Sequence, residues 1–236
     1  MMTELTLPII GYMHSSYKEK FGIPRQPNLV QVESYIEMLA PYNDVLAFEG
    51  IEAFSHLWLV WQFHDNKNPE KTQFRPQVRP PRLGGNKKIG VFATRSMYRP
   101  SPIGLSVVKL KCVKKEGRSV RVYVTGSDLL DGTPIVDIKP YIHYSDAVID
   151  AESGYAQDEP KRKSVIWSDR AIEQKQQLLT SGKLSVQTAQ ELEAVLSLDP
   201  RPAYQDDEAR VYKMKFAAVD IAFTVGETTV NITAVE

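Results

Sequence analysis

The stretch Ser119-Val120-Arg121-Val122-Tyr123-Val124 alternates strictly, its valines on one side of an extended chain and Arg121 and Tyr123 on the other. A period of two draws no stripe on a helix, so this segment must be a strand with one buried face. Leu105 to Val113 and Lys88 to Thr94 look similar, and Ala53 to Phe63 is a continuous aromatic and aliphatic run suited to a strand buried on both faces. Glycine and proline turns punctuate these runs, and strands do not alternate regularly with helices. A mainly β fold is therefore expected over residues 1–150, an antiparallel β-barrel rather than a doubly wound sheet.

Composition changes at Asp150. Asp150 to Lys163 is polar, with Gly154, Pro160 and a Lys-Arg-Lys run, so residues 151–165 read as a linker to a second domain at 166–236. Ser168 to Leu179 reads as a helix. Ser185 is a good N-cap for another, with Val186, Ala189, Leu192, Val195 and Leu196 on one face. Asp199-Pro200 stops it, since the residue before proline is pushed out of the helical region. A hairpin follows, with one arm at about Val211 to Val225 (Ala217-Ala218 marking a bulge), a turn near Gly226-Glu227, and a return at Thr229 to Val235. The expectation is a small C-terminal α+β module in the order ααββ.

Several chemistries are excluded. Cys112 is the only cysteine, so neither an internal disulfide nor a cysteine-based zinc site is possible, and a reducing cytoplasm is the default setting. The N-terminus lacks the pattern of a signal peptide, and the apolar run Leu57 to Phe63 is too short to span a bilayer. There is no phosphate-binding loop ending in Gly-Lys-Ser/Thr, no G-x-S-x-G elbow, no H-E-x-x-H and no dinucleotide fingerprint after a strand. His14, His56, His64 and His143 are scattered, and no metal site is expected from them. His56, inside an apolar strand, reads as a hydrogen-bonded core histidine, whereas His64 closes that strand beside Asp65, where it could face a ligand.

Charge is distributed very unevenly. Between Lys71 and Lys115 lie twelve Lys or Arg residues and no Asp or Glu, which leaves 17 of the 29 basic residues to share the rest of the chain with all 29 acidic ones. Such a field suits a polyanion, and nucleic acid is the expected one. Pro76, Pro80, Pro81, Gly84, Gly85, Pro100, Pro102 and Gly104 interrupt the window, so much of it is shaped loop.

Three stretches carry the motifs: Tyr17-Lys18-Glu19-Lys20-Phe21 with Pro24-Arg25-Gln26-Pro27; Arg79-Pro80-Pro81-Arg82-Leu83-Gly84-Gly85-Asn86 with Phe92-Ala93-Thr94-Arg95-Ser96; and Asp128-Leu129-Leu130-Asp131-Gly132-Thr133-Pro134. With the Gly-x-Glu-Ala-Phe-Ser-His-Leu-Trp run at 50–58 and Asp-Pro-Arg-Pro-Ala-Tyr at 199–204, they closely resemble the TsaA/TrmO family of tRNA N6-adenosine methyltransferases over nearly the whole chain. The resemblance implies a β-barrel that binds S-adenosylmethionine, a smaller C-terminal domain that helps engage tRNA, and a homodimer. It implies methylation of N6-threonylcarbamoyladenosine at position 37, in the anticodon stem-loop. By motif, the donor would meet Pro24, Arg25, Gln26, His64, Asp65, Arg95, Leu105, Asp128, Leu129, Leu130 and Asp131. Ser101 stands where family members commonly carry Asn, so this chain offers a shorter hydroxyl in place of an amide there.

For the proton that N6 must lose, Asp131, Asp137 and Tyr141 are candidates by location only. Phosphate contacts are expected from Arg75, Arg79, Arg82, Lys87 and Arg99, with Arg201 and Tyr204 adding a contact from the second module. Two other classes fit the residues: a non-catalytic RNA-binding barrel, and a transferase using the same donor on another acceptor.

Overall fold

The computed structural model describes residues 5–65, 74–202, 205 and 207–236. Its first part contains β1 (Gly11–His14), β2 (Glu33–Met38), β3 (His56–Gln62), the two-residue strands β4 (Gln77–Val78) and β5 (Ile89–Gly90), and then β6 (Ile103–Glu116), β7 (Ser119–Thr125) and β8 (Pro134–Pro140). Six of these close into a barrel in the order β1-β2-β7-β6-β3-β8, and every neighbouring pair is antiparallel. β7 is the strand that the strict alternation predicts. Val120, Val122 and Val124 are fully buried inside, alongside Met13, Ile36, Leu57, Leu59 and Val108. Each such side chain stabilises the fold by about 1.5–3 kcal/mol relative to exposure.

Two strand expectations are corrected. β3 is not buried on both faces: Leu57 and Leu59 point into the barrel, while His56, Trp58 and Val60 are half-buried on the outside. His56 is accordingly no core histidine. Its Nδ1 shares a hydrogen bond of 2.9 Å with Ser55 Oγ, and its ring packs edge-on against Tyr141. The Lys88 to Thr94 segment forms only the short β5, followed by a 3-10 turn at Val91–Ala93. Its partner segment, 74–81, contains Pro76, Pro80 and Pro81, which have no amide to extend a ladder.

After β8 comes the short helix α1 (His143–Asp146). The second part has β9 (Ser164–Trp167), α2 (Asp169–Thr180), α3 (Val186–Leu196), β10 (Tyr212–Phe216), β11 (Val219–Val225) and β12 (Thr229–Val235). Both predicted caps form: Ser168 Oγ accepts from the Ala171 amide at 3.3 Å and Ser185 Oγ from the Thr188 amide at 2.9 Å. Asp199, ending the helical region before Pro200, takes a left-handed φ of 50°. The sheet is larger than a hairpin, with order β10-β11-β12-β9. Ser164 and Val165, read from sequence as linker, open β9, which runs parallel to β12. Ala217-Ala218 is a tight turn, not a bulge: Phe216 pairs with Val219, and Ala217 has φ 50°.

Residues 15–32 connect the two parts. Tyr17, Val30 and Val32 belong to the core of the second sheet rather than to the barrel. Tyr17 bridges to Phe216, and the Ala217 amide donates to Ser16 O at 2.8 Å. Phe21 stacks on both Tyr212 and Phe223, with centroids 6.2 Å away in each case. The loop carrying Pro24, Arg25 and Gln26 is thus anchored on the second module while it reaches over the barrel. Among the described residues no helix is long and apolar enough to cross a membrane.

Candidate active site

A cleft of about 500 Å³ opens where this loop meets the barrel rim. The end of β3 contributes Trp61, Phe63 and His64, the start of β6 contributes Gly104 and Leu105, and the segment after β7 contributes Asp128 to Leu130. Thr94, Arg95, Met97 and Arg99 line it from the basic window, and Lys20, Ile23, Pro24, Arg25 and Gln26 from the bridging loop.

Register explains the aromatic wall. Trp61 pairs across strands with Gly104, and a Cβ on that glycine would sit 2.2 Å from the indole ring. Only glycine lets Trp61 lie across β6 at this point. The indole Nε1 then donates to Ser106 Oγ at 3.0 Å, and the Ser106 hydroxyl donates to Asp128 Oδ1 at 2.7 Å. Ser106 is fully buried and Asp128 half-buried. Burial pushes the Asp128 carboxyl up to a pKa of about 6, a rise only partly opposed by the Ser106 hydrogen bond and the charge of Arg95. Among the described residues Asp128 is the only carboxylate lining the cleft.

The cations are placed by other contacts. Arg95 donates to Gln26 Oε1, tying the 94–99 loop to the bridging loop. Arg25 Nη2 donates to Arg201 O at 3.1 Å, so its head is held by the second module. Arg99 Nη1 donates to Thr94 O at 3.0 Å and thereby braces the loop that carries Arg95.

Of the residues expected from sequence to hold a donor, Pro24, Arg25, Gln26, His64, Arg95, Leu105, Asp128, Leu129 and Leu130 meet at this cleft. Asp65 and Asp131 lie outside its lining. Lys20 takes up Asp65, donating to its carbonyl at 2.6 Å, and Asp65 itself has a left-handed φ of 56°. Asp131 accepts from the Ser15 amide at 2.9 Å and pairs with Lys18 at 2.9 Å, which makes it a brace for the bridging loop. None of the three candidate proton acceptors lines the cleft. Besides Asp131, Asp137 pairs with Lys139 on β8 at 2.7 Å, and Tyr141 packs against Trp58 at 5.9 Å between centroids.

The expected phosphate contacts also divide. Arg79, Arg82 and Lys87 are exposed, and Arg75 places its guanidinium 4.2 Å above the Tyr98 ring. Arg201 is turned inward, 7% exposed, with its guanidinium forked onto Asp199 by two bonds of 2.9 Å. Those donors are spent on a carboxylate and cannot meet a phosphate. Tyr204 lies outside the described residues. Sequence reasoning missed Trp61 and Ser106; each is one of many apolar or hydroxyl residues until the β3–β6 register sets it beside Gly104 and Asp128.

The charge and lining of this cleft suit S-adenosylmethionine. The volume falls within the usual range for small-molecule sites, aromatic and aliphatic side chains can receive an adenine, and Arg25 and Arg95 can pair a carboxylate. Asp128 faces any positive charge brought into the cleft.

Comparison with known proteins agrees. The model of the tRNA-methyltransferase O N-terminal domain matches residues 12–147, and that of the TrmO C-terminal domain matches 160–236. The tRNA (adenine(37)-N6)-methyltransferase of Escherichia coli (strain K12) is 45% identical over 208 residues, covering 88% of this chain and 86% of that protein. A putative S-adenosylmethionine-dependent methyltransferase, RcsF, of Pseudomonas aeruginosa is 44% identical over 222 residues, 93% of this chain and 92% of its own. The crystal structure of TrmO from Pseudomonas aeruginosa superposes with a TM-score of 0.78 at 34% identity, covering 100% of this chain and 99% of that one.

Proposed function

Since this chain belongs to the tRNA-methyltransferase O family, we propose that it methylates N6 of threonylcarbamoyladenosine at position 37, in the anticodon loop of tRNA. As an enzyme it is an S-adenosylmethionine-dependent tRNA adenine-N6-methyltransferase. The observation that carries the reading is the cleft, where an aromatic wall, the arginines Arg25, Arg95 and Arg99 and the half-buried carboxylate of Asp128 line a single space beside the acid-free basic loops.

S-adenosylmethionine, when bound, supplies an electrophilic methyl group on a sulfonium. Trp61, Phe63 and Leu105 give the cleft an apolar wall, and Arg25 and Arg95 would hold the donor's carboxylate. Holding both reactants in line is worth up to roughly 7–11 kcal/mol of barrier. As N6 gains a methyl it must give up its proton, and Asp128 is the cleft carboxylate that can take it. With a pKa of about 6, Asp128 is mostly ionised at neutral pH yet basic enough to accept. It takes the place of Asp131, Asp137 and Tyr141 as proton acceptor. An anticodon-loop base reaches such a cleft without opening a duplex.

We read the chain as a homodimer acting in the cytoplasm. Tyr144, Val148 and Ile149, close together in the chain after β8, are 90%, 66% and 95% exposed, apolar surface suited to burial against a second copy. Calorimetric titration with S-adenosylmethionine tests the donor half of the proposal. One site per chain that weakens on Arg95→Ala is expected. Absence of binding would overturn it in favour of a non-catalytic RNA-binding barrel.

A further inference from the structure

Two large aromatic side chains stand in solvent on the basic loops, outside the cleft lining. Phe92 is 71% exposed and Phe74 50%, and their ring centroids lie 6.3 Å apart with 32° between planes. Neither is displayed by accident of a loose loop. Phe92 occupies the middle of the Val91–Ala93 turn, whose first residue is buried and whose close is secured by Thr94, with its amide at 3.1 Å and its hydroxyl at 2.7 Å from Val91 O. Phe74 is held through its neighbours: the Arg75 amide donates to Tyr98 O at 3.1 Å, the Val91 amide donates to Pro76 O at 3.0 Å, and Gln77 pairs with Gly90. Two segments distant in sequence are thus laced together so that both rings share one patch.

The surroundings indicate what would cover it. From Phe74 to Arg99 there are seven Lys or Arg residues and no Asp or Glu. An apolar protein partner would not require a field of one sign, whereas RNA brings phosphates for the cations and flat base faces for the rings. The patch also adjoins the cleft. Two and three residues after Phe92, the chain reaches Thr94 and Arg95, which line it. A base drawn out of its stack leaves its neighbours with open faces, and aromatic side chains at the lip replace the lost stacking.

We infer that Phe74 and Phe92 form a stacking platform for unpaired nucleobases that flank the target adenosine. This rests on the tRNA substrate assigned above. The platform positions RNA and leaves donor binding alone, so its loss separates the two substrates. The test is fluorescence anisotropy of a labelled anticodon stem-loop RNA with wild type, Phe92→Ala, Phe92→Leu, Phe92→Trp and Phe74→Ala, with S-adenosylmethionine affinity measured on the same preparations. Phe92→Ala should weaken RNA binding roughly 5- to 100-fold. Phe92→Leu should be nearly as weak and Phe92→Trp should restore affinity, while donor affinity and the slope of log affinity against log salt stay at wild-type values. Wild-type RNA affinity in both alanine variants would overturn the platform. So would full rescue by leucine, or a change in oligomeric state without a change in RNA affinity. Failure of the wild-type chain itself to bind RNA would overturn both this inference and the proposed tRNA substrate.

Discussion

Burial raises the Asp128 pKa to about 6, so the folded chain holds that proton more tightly than the unfolded one does. Between the unfolded carboxylate range and pH 6, stability therefore falls as pH rises, and above pH 6 the full cost of the buried charge is present. Asp128→Asn removes the charge while keeping an oxygen to accept from Ser106. It should raise apoprotein stability at pH 7 by up to about 3 kcal/mol, less whatever solvent in the cleft screens, and it should abolish methyl transfer. Thermal unfolding beside a transfer assay checks both halves. Wild-type turnover should also fall as pH drops through about 6, as Asp128 protonates. Gly104→Ala is a second test at this scale. Its Cβ would collide with the Trp61 ring, and such overpacking costs about 1–3 kcal/mol. Moving Trp61 breaks the chain to Ser106 and Asp128, so donor affinity should fall together with stability. Asp128, Arg25 and Arg95 were legible as a motif. The direction of a side chain was not: Arg201 and Arg79 look alike in sequence, yet one is buried on Asp199 and the other is exposed.

At the scale of elements, the bridging loop 15–32 sets the geometry of the cleft. It carries Arg25 and Gln26, and its apolar residues pack in the core of the other module. Phe21→Ala removes the ring that stacks on Tyr212 and Phe223. It should loosen that anchor, and a loss of about 1.4 kcal/mol in holding the loop is already tenfold in donor affinity. Calorimetry would show this, and wild-type donor affinity in Phe21→Ala would contradict the role given to the loop. The strands β6 and β7 and the caps of α2 and α3 could be read from period and capping residues. Phe21 could not be assigned its place, because an apolar residue in a loop does not say which of two cores it enters. The four-stranded sheet was under-read for a related reason. β9 is short and sits beside a charged run, and it becomes a strand only because β12 is there to pair with it.

On the scale of the whole molecule, net charge is zero while the window from Lys71 to Lys115 is strongly basic, so any steering of a polyanion comes from that window and not from the chain's overall charge. The apolar residues after β8 form a separate surface. Tyr144→Asp or Ile149→Asp should leave the barrel folded, since both side chains are almost fully exposed, and should convert a dimer to a monomer in light-scattering analysis. An unchanged dimer mass in both variants would remove this surface from the interface. That a strand-built barrel is joined by a C-terminal part with helices and a sheet was legible from the two-residue period of the early strands and the helix caps at Ser168 and Ser185. That the first module's loop completes the second module's core was not, because it depends on contacts between residues about two hundred positions apart.

The most direct test is mass spectrometry of nucleosides from tRNA incubated with the protein and S-adenosylmethionine, using transcripts with and without threonylcarbamoyladenosine at position 37. A mass gain of one methyl group on threonylcarbamoyladenosine, absent from the unmodified transcript, is the predicted result. Methylation of unmodified adenosine or of another nucleoside, or no gain on either RNA, would contradict it.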